Sequence, residues 1–253
     1  MVSTTSHKIC KNNMGKTTTH LLVTLFIGYL LINTHCFAQL DVTHYNEFWL
    51  WSGVKAQPVL EKASTIYLLR GQIVTNYNNN THLINQRNFI TPHFNQHIWL
   101  VYRAHTLNWD QSIFTAINRE LKHWQVNNIP IKGIQIDFDV PTQKLSDYIT
   151  FLEKIRTWLP KNYQLSITGL LDWGSNSDPI IINQLSNTVD EIIFQTYQGK
   201  ETIQDYQVYL KKLEAIKLPF KIGIIQYGDW QPLLSLEKNP YFKGYVIFLQ
   251  NKL

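Results

Sequence analysis

The sequence predicts an α/β fold, a small (β/α)8 barrel (TIM barrel). Eight short runs rich in β-branched and other apolar residues recur along the chain, and longer stretches with apolar residues at helical spacing lie between many of them. Strand–helix alternation is typical of parallel strands joined by right-handed crossovers, and eight repeats close a barrel. Because only about 215 residues follow the N-terminal segment, we expect several helices to be short.

Residues 1–38 are predicted to be a signal peptide. A basic start without acidic residues precedes the apolar run Leu21–Ile32, which is short for a membrane span, and Met14 is a second candidate start. Cys36 and Ala38 are small residues at the two positions that a signal peptidase reads, so cleavage is expected after Ala38. The alternative is an uncleaved anchor helix. We therefore expect a periplasmic or secreted protein whose mature part, residues 39–253, is one domain.

The composition of the mature part argues against several classes of protein. Both cysteines precede the cleavage site, so the domain must depend on its core rather than on disulfides. Loss of the three N-terminal lysines leaves 20 basic and 18 acidic residues, a net charge of +2, and no basic stripe that would indicate nucleic-acid binding. There is no phosphate-binding glycine loop or dinucleotide motif, so no cofactor is expected. All eight tryptophans lie in the mature part, where they suit sugar rings or a packed core.

The predicted elements follow one another in regular order. The strands are Glu47–Trp51, Thr65–Val74, His97–Thr106, Gly133–Val140, Gln164–Asp172, Glu191–Tyr197, Phe220–Gly228 and Tyr245–Gln250. The clearest amphipathic helices are Ser112–Val126, Leu145–Leu159 and Ile203–Ile216. A proline follows each of these helices and precedes the next strand, where it stops a helix well. The Asn-rich stretch Asn76–Asn88 is predicted to be a loop.

The fourth predicted strand ends in two carboxylates. Gln135, Asp137 and Asp139 alternate with apolar residues, so they share one face of the strand. Polar groups on an otherwise apolar strand need partners or a cavity that holds water or a ligand. Neighbouring carboxylates also perturb each other's ionisation. The pair Asp137 and Asp139 is therefore a candidate acid/base site.

Other polar and aromatic residues end the predicted strands, where barrel enzymes carry their chemistry. They include Trp51, Arg70, Arg103, His105, Asp172, Trp173, Gln195, Tyr197, Gln226, Tyr227, Asp229 and Trp230. This mixture of carboxylates, amides and aromatic rings suits a carbohydrate cleft, because sugar hydroxyls take hydrogen bonds from planar groups and ring faces stack on aromatic side chains.

The segment Gly133–Pro141 resembles the fourth-strand signature D-G-x-D-x-D-x-E of chitinase-like barrels, glycoside hydrolase family 18. Gln195–Gln198 similarly resembles that family's M-x-Y-D motif. The wider pattern, with Phe48–Trp51 at the start and Leu165–Thr168 before Asp172-Trp173, is similar to a bacterial group of uncharacterised chitinase-like domains. The resemblance extends over essentially the whole mature chain.

The resemblance implies roles for particular residues. Asp139 would take the place of the catalytic glutamate and protonate the glycosidic oxygen, with a carboxyl that reaches about 1.5 Å less far than that of glutamate. Asp137 would orient the reacting group, and Tyr197 would steady the developing charge. In that family the substrate's acetamido group is the nucleophile, and a two-carboxylate mechanism with Asp172 or Asp229 is the alternative. The expected substrate-binding residues are Gln135, Gln195, Trp51, Arg70, Asp172, Trp173 and Tyr227.

We therefore expect an exported glycoside-hydrolase-like protein that acts on a polysaccharide or oligosaccharide, as a monomer with no integral membrane domain after signal cleavage. The main alternative is a catalytically degenerate carbohydrate-binding barrel. A metal site that combines the carboxylate pair with His93, His97 or His105 is less favoured, because two carboxylates at alternate strand positions seldom chelate without further ligands. No metal is therefore expected. A hydroxyl nucleophile is also not expected, because the chain lacks a G-x-S-x-G motif.

Overall fold

A computed structural model describes residues 40–86, 96–176 and 179–252 of the protein. The predicted signal peptide and the candidate metal ligand His93 lie outside the described residues.

Eight parallel strands form a closed barrel, which confirms the predicted fold class. The strands are β1 (Glu47–Leu50), β2 (Thr65–Thr75), β3 (His97–Ala104), β4 (Ile131–Asp137), β5 (Gln164–Leu170), β6 (Glu191–Gln195), β7 (Phe220–Ile225) and β8 (Phe242–Phe248). Each strand pairs in parallel with the next, and β1 pairs with both β2 and β8. All eight predicted strands are present, and their ends differ from the predictions by a few residues.

Helices cover the outside of the barrel, and most of them are short. They are α1 (Gln111–Val126), α2 (Leu145–Trp158), α3 (Trp173–Asn176), α4 (Pro179–Gln184), α5 (Tyr206–Lys212) and α6 (Leu234–Glu237). The carboxylate of Asp110 caps α1 by accepting hydrogen bonds from the backbone N–H groups of its first turn. The third predicted helix is shorter than expected, because the chain passes into a 3-10 turn, Leu213–Ala215, after α5.

The prediction that Asn76–Asn88 is a loop is wrong over Thr81–Asn85. This segment is a strand that pairs antiparallel with the end of β2. Asparagines make the turn between the two strands. The Asn76 side chain accepts hydrogen bonds from the backbone N–H groups of Asn78 and Asn80, and Asn79 has a positive φ of 58°. Asparagine adopts that conformation readily, so the Asn-rich run is the tip of a hairpin.

The two faces of the strands bury two separate cores. One face packs against the helices and loops, with large apolar residues such as Phe48 and Ile134. The other face fills the barrel interior, where Trp49, Tyr67 and Trp99 are fully or almost fully buried. The interior has little spare room: a Cβ added to Gly223 would lie 2.6 Å from the Trp49 ring. The site described below therefore rests on a packed floor.

Charged residues close the lower end of the barrel, where the strands begin. Lys221 Nζ lies 2.5 Å from the Glu47 carboxylate and 3.3 Å from that of Glu191. The Tyr67 hydroxyl accepts from Lys221 and donates to Glu191. Burial opposes the charge on Lys221, but the two glutamates raise its pKa above the ordinary value. Residues at this end of a barrel serve stability rather than catalysis.

Candidate active site

A cleft of about 600 Å³ lies at the end of the barrel where the strands finish. Its polar lining includes Arg103, Asp139, Asp172, Gln195 and Tyr197. Each of these residues lies within two positions of the C-terminal end of a barrel strand. The closed parallel topology therefore brings together groups that are more than 90 residues apart in the sequence.

Arg103 connects the two predicted carboxylates. Its Nη1 donates to Asp137 Oδ2 at 2.8 Å, and its Nη2 donates to Asp139 Oδ2 at 2.7 Å. Asp137 is buried, whereas the side chain of Asp139 remains 47% exposed at the cleft. The Asp137 carboxylate also accepts a hydrogen bond of 3.0 Å from the Thr168 hydroxyl. Asp139 can thus be reached by a ligand, and Asp137 lies beneath it.

The position of Arg103 follows from the register of the sheet. Arg103 on β3 lies opposite Asp137 on β4, and the two residues share the interior face of the barrel. Its guanidinium carbon also lies 5.5 Å from the centre of the Trp51 ring, within range of a cation–π interaction. Sequence reasoning identified Arg103 as a strand-end residue but gave it no part in the site.

The ionisation of the buried pair is set by burial and charge together. Burial raises the pKa of Asp137 above its ordinary value of 3.8, Arg103 opposes this change, and the neighbouring Asp139 adds to it. Burial also disfavours the charge on Arg103, but Asp137 and Asp139 outweigh that effect and raise its pKa. The result is one guanidinium held between two carboxylates, and protonation of Asp137 is favoured relative to an exposed aspartate.

Tyr197 places a buried hydroxyl group at the wall of the cleft. Its ring packs against Phe248, with ring centres 5.3 Å apart. The Gln195 side chain lies near the hydroxyl, but no group of the described chain makes a hydrogen bond of ordinary geometry with it. Burial, and then the charges of Asp137 and Asp139, raise the pKa of Tyr197 well above its ordinary value. The hydroxyl is therefore a neutral donor close to the carboxylate pair.

Asp172 provides a second carboxylate at the cleft. Its Oδ2 accepts a hydrogen bond of 3.3 Å from the Thr142 hydroxyl, and its Oδ1 has no hydrogen-bond partner within the described chain. Asp172 also takes part in no ion pair with any described residue. It therefore adds to the cleft a carboxylate that has no ion-pair partner among the residues that the structure describes.

Aromatic and apolar side chains form the rest of the cleft walls. Trp51 and Phe248 meet edge to face, with ring centres 5.4 Å apart. Tyr209 of α5 and Ile203 reach the cleft from the segment that follows β6. Sequence reasoning identified Trp51 but missed these three others. Their only sequence signal is proximity to a strand end or to the motif around Tyr197.

Four residues expected to bind substrate lie away from the cleft lining. Gln135 is fully buried beneath it, where its amide accepts from the Trp49 indole at 2.6 Å and donates to Ser166. Trp173 is also fully buried and donates to a backbone carbonyl. Arg70 forms an ion pair of 2.7 Å with a glutamate of α1. Tyr227 lies in the turn after β7, with a positive φ of 69°.

The arrangement of the histidines does not suggest a metal centre. His97 begins β3, at the opposite end of the barrel from the cleft, and His105 lies 3.3 Å from Gln72. Within residues 40–86, 96–176 and 179–252, no group of three or more His, Cys, Asp or Glu side chains is placed to hold a metal ion. No helix in the described part of the chain has the length and apolar character needed to cross a membrane.

Comparison with known proteins agrees with the barrel architecture. The family described as a domain of unknown function, DUF3142, matches residues 104–223, which is slightly less than half of the chain. These residues run from the end of β3 into β7 and include Asp137 and Asp139, the two carboxylates that Arg103 connects. A search of curated proteins gave no match.

Several solved structures are similar to this chain at low sequence identity. The xylanase and alpha-amylase inhibitor protein XAIP-II of Scadoxus multiflorus is 10% identical, with a TM-score of 0.50, over 80% of this chain and 92% of its own. The spore cortex-lytic enzyme SleL of Bacillus cereus is 15% identical (TM-score 0.46, 70% of this chain), and this chain covers only 50% of SleL. The chitinase domain of the spore coat protein CotE of Clostridium difficile is 12% identical (TM-score 0.44, 83% and 73% coverage). At such identities the likeness concerns the fold, a (β/α)8 barrel.

Proposed function

We propose that the protein is an exported glycoside-hydrolase-like barrel that acts on a polysaccharide or oligosaccharide bound in the cleft. The observation that carries this proposal is a half-exposed carboxylate, Asp139, at the end of a barrel strand in a cleft with aromatic walls. Trp51, Tyr209 and Phe248 offer faces and edges for sugar rings, and the amide of Gln195 suits sugar hydroxyls. The basic and apolar N-terminal segment supports export.

In this proposal Asp139 exchanges a proton with the glycosidic oxygen. In the free protein Asp139 Oδ2 accepts a hydrogen bond of 2.7 Å from Arg103 Nη2. A general acid must instead lie within hydrogen-bond reach of the glycosidic oxygen, so the bound glycan must first separate Asp139 from Arg103. A sugar ring stacked on Trp51 would compete with Arg103 for that ring face, which couples ligand binding to release of Asp139.

Asp137 and Tyr197 support this chemistry from below and from the side. Asp137 shares Arg103 with Asp139 and lies 2.8 Å from its Nη1, so it can keep Arg103 when Asp139 is released. The Tyr197 hydroxyl, which has no hydrogen-bond partner among the described residues, can donate to charge that develops on the substrate. Asp172 lines the same cleft and is the candidate second carboxylate of a two-carboxylate mechanism.

A catalytically degenerate carbohydrate-binding barrel is the second candidate. The contact with Arg103 favours it, because the Asp139 carboxylate is already engaged and reaches less far towards a glycosidic oxygen than the longer glutamate would. Such a protein would keep the aromatic cleft and bind the glycan without cleaving it.

The variant Asp139→Asn separates the two candidates. Residues 39–253 would be purified and screened against a glycan panel for cleavage and for binding. For a hydrolase we expect Asp139→Asn to lower turnover by about 10²- to 10⁴-fold while the dissociation constant stays within about threefold. The matched control is Asp147→Asn, the same change at an exposed position of α2 outside the cleft lining. Binding without cleavage by the wild type would support the degenerate barrel, and undiminished turnover by Asp139→Asn would remove Asp139 from the mechanism.

A further inference from the structure

The charged groups at the cleft have a negative sum. Asp139 and Asp172 line the cleft, Asp137 lies beneath it, and Arg103 supplies the positive charge. The net charge is −2 when Asp137 is ionised and −1 when it carries the proton that burial favours. No lysine or histidine is among the described residues of the lining. The cleft is therefore negative in either protonation state.

Arg103 cannot easily serve a negatively charged ligand. In the free protein its two terminal nitrogens are committed, one to each carboxylate, at 2.8 and 2.7 Å, and the one that binds Asp137 stays committed when a glycan displaces Asp139. Transfer of Arg103 to a ligand carboxylate would leave Asp137, which is 1% exposed, without its counter-charge. A uronic acid would also meet the uncompensated charge of Asp172. Anionic sugars are thus disfavoured by two separate features.

The unused polar groups of the cleft call for hydrogen-bond donors and acceptors on a ligand. Asp172 has no ion-pair partner within the described chain, and its Oδ1 accepts no hydrogen bond there. The hydroxyl of Tyr197, a residue that is only 8% exposed, is also without a partner among the described residues. Both atoms are buried, and polar groups left unsatisfied in this way cost free energy that a ligand group entering far enough to pair with them would recover.

We propose that this cleft selects oligosaccharides that carry protonated amines, such as hexosamine units with a free amino group. The proposal rests on the function proposed above, because it assigns the glycan to the same cleft. An ammonium group donates up to three hydrogen bonds and brings the charge that Asp172 lacks. The cleft also has apolar walls, and a charge pair that such walls shield from water attracts more strongly than one in bulk water.

The test compares tetramers of glucosamine, N-acetylglucosamine and glucuronic acid by titration calorimetry, at a pH where the amines are protonated. We expect the glucosamine tetramer to bind tightest and the glucuronic acid tetramer weakest. Asp172→Asn should weaken glucosamine binding by about five- to tenfold and change N-acetylglucosamine binding by less than about twofold. Glu153→Gln, a loss of the same charge on the exposed face of α2, should change neither.

A second measurement does not depend on the variant. Added salt should weaken binding of the glucosamine tetramer to the wild type and leave binding of the N-acetylglucosamine tetramer nearly constant. If the acetylated or the acidic tetramer binds as tightly as the amine, or if Asp172→Asn weakens all ligands equally, the preference for amines is wrong while the glycan function stands. If no tetramer binds, the proposed function and this inference both fall.

Discussion

Replacing Arg103 with methionine tests whether the arginine is the counter-charge on which the buried carboxylate depends. Methionine keeps much of the apolar stem and removes the guanidinium. Asp137 would then keep one described hydrogen bond to its carboxylate, from the Thr168 hydroxyl, and would face the charge of Asp139 without a cation between them. The variant should fold, but with a clear loss of stability.

The size of this loss can be worked from the exposure of the partners. The side chains of Arg103 and Asp137 are 27% and 2% exposed, so the pair is largely buried. Removal of one member of a buried pair costs 3–5 kcal/mol, and the partial exposure of Arg103 places the expected cost at the lower end, about 3 kcal/mol. The pair with Asp139 is half exposed and contributes about 0.5 kcal/mol. A domain of ordinary stability, about 5–15 kcal/mol, survives this change.

The loss should also depend on pH, with a sign fixed by Asp137. The pKa of Asp137 in the folded protein lies above the ordinary value of 3.8, so its contribution to stability is present below that pH and is lost as the pH rises through the folded-state pKa. Without Arg103 nothing of similar strength opposes burial, and the folded-state pKa rises further. The difference in unfolding free energy between Arg103→Met and the wild type should therefore be small in acid and grow towards neutral pH.

Urea denaturation, followed by tryptophan fluorescence at several pH values, measures these differences. Addition of Asp137→Asn to Arg103→Met should recover most of the loss at neutral pH, because it removes the uncompensated charge. Addition of Asp139→Asn should recover little, because that carboxylate is half exposed. The reasoning is refuted if Arg103→Met/Asp137→Asn is no more stable than Arg103→Met, or if the deficit is the same at every pH.

Two further predictions concern the floor and the wall of the barrel. Lys221→Met should lower the free energy of unfolding by about 3–5 kcal/mol at neutral pH, because it leaves Glu47 and Glu191 buried together without a cation. Urea denaturation measures this loss, and a loss under about 1 kcal/mol would show that the cluster is not stabilising. Tyr197→Phe should change the free energy of unfolding by less than about 0.5 kcal/mol, because the lost hydroxyl has no partner in the described chain. The same variant should lower glycan turnover about 10²-fold, and unchanged turnover would contradict the role of that hydroxyl.

The barrel could be predicted because its strands and its helices occupy separate segments of the sequence, each with its own spacing of apolar residues. Strands of β-branched residues and helices with apolar stripes such as Ile113, Ile117 and Leu121 differ in spacing, and each maps to one layer of the fold. The strand Thr81–Asn85 was missed for a local reason: it is short and directly follows the Asn-rich turn at residues 76–80, and its pairing with β2 cannot be read from composition. Propensity alone does not carry that information.

The centre of the site could be predicted because the sequence of β4 shows which of its residues face the barrel interior. Gln135 and Asp137 are polar residues in an apolar strand, so the sequence itself shows which positions face the barrel interior. Arg103 could not be placed in the same way. Its link to the carboxylates depends on the parallel register between β3 and β4, which becomes known only when the strands are paired.

The contrast between Arg70 and Arg103 shows where this kind of reasoning stops. Both arginines were predicted to be strand-end residues, yet Arg103 points into the barrel, whereas Arg70 lies in the middle of β2 and pairs with Glu120 on α1. Strands of a parallel barrel are buried on both faces, so β2 is apolar at every position from Ile66 to Leu69. Its sequence therefore does not show which residues face the barrel interior. The pairing of β2 with β3 also shifts register between Leu69 and Gly71, so simple alternation from the start of β2 would not predict which way Arg70 points. Strand-end residues are therefore assignable to the cleft from sequence only when polar residues of the same strand mark its interior face.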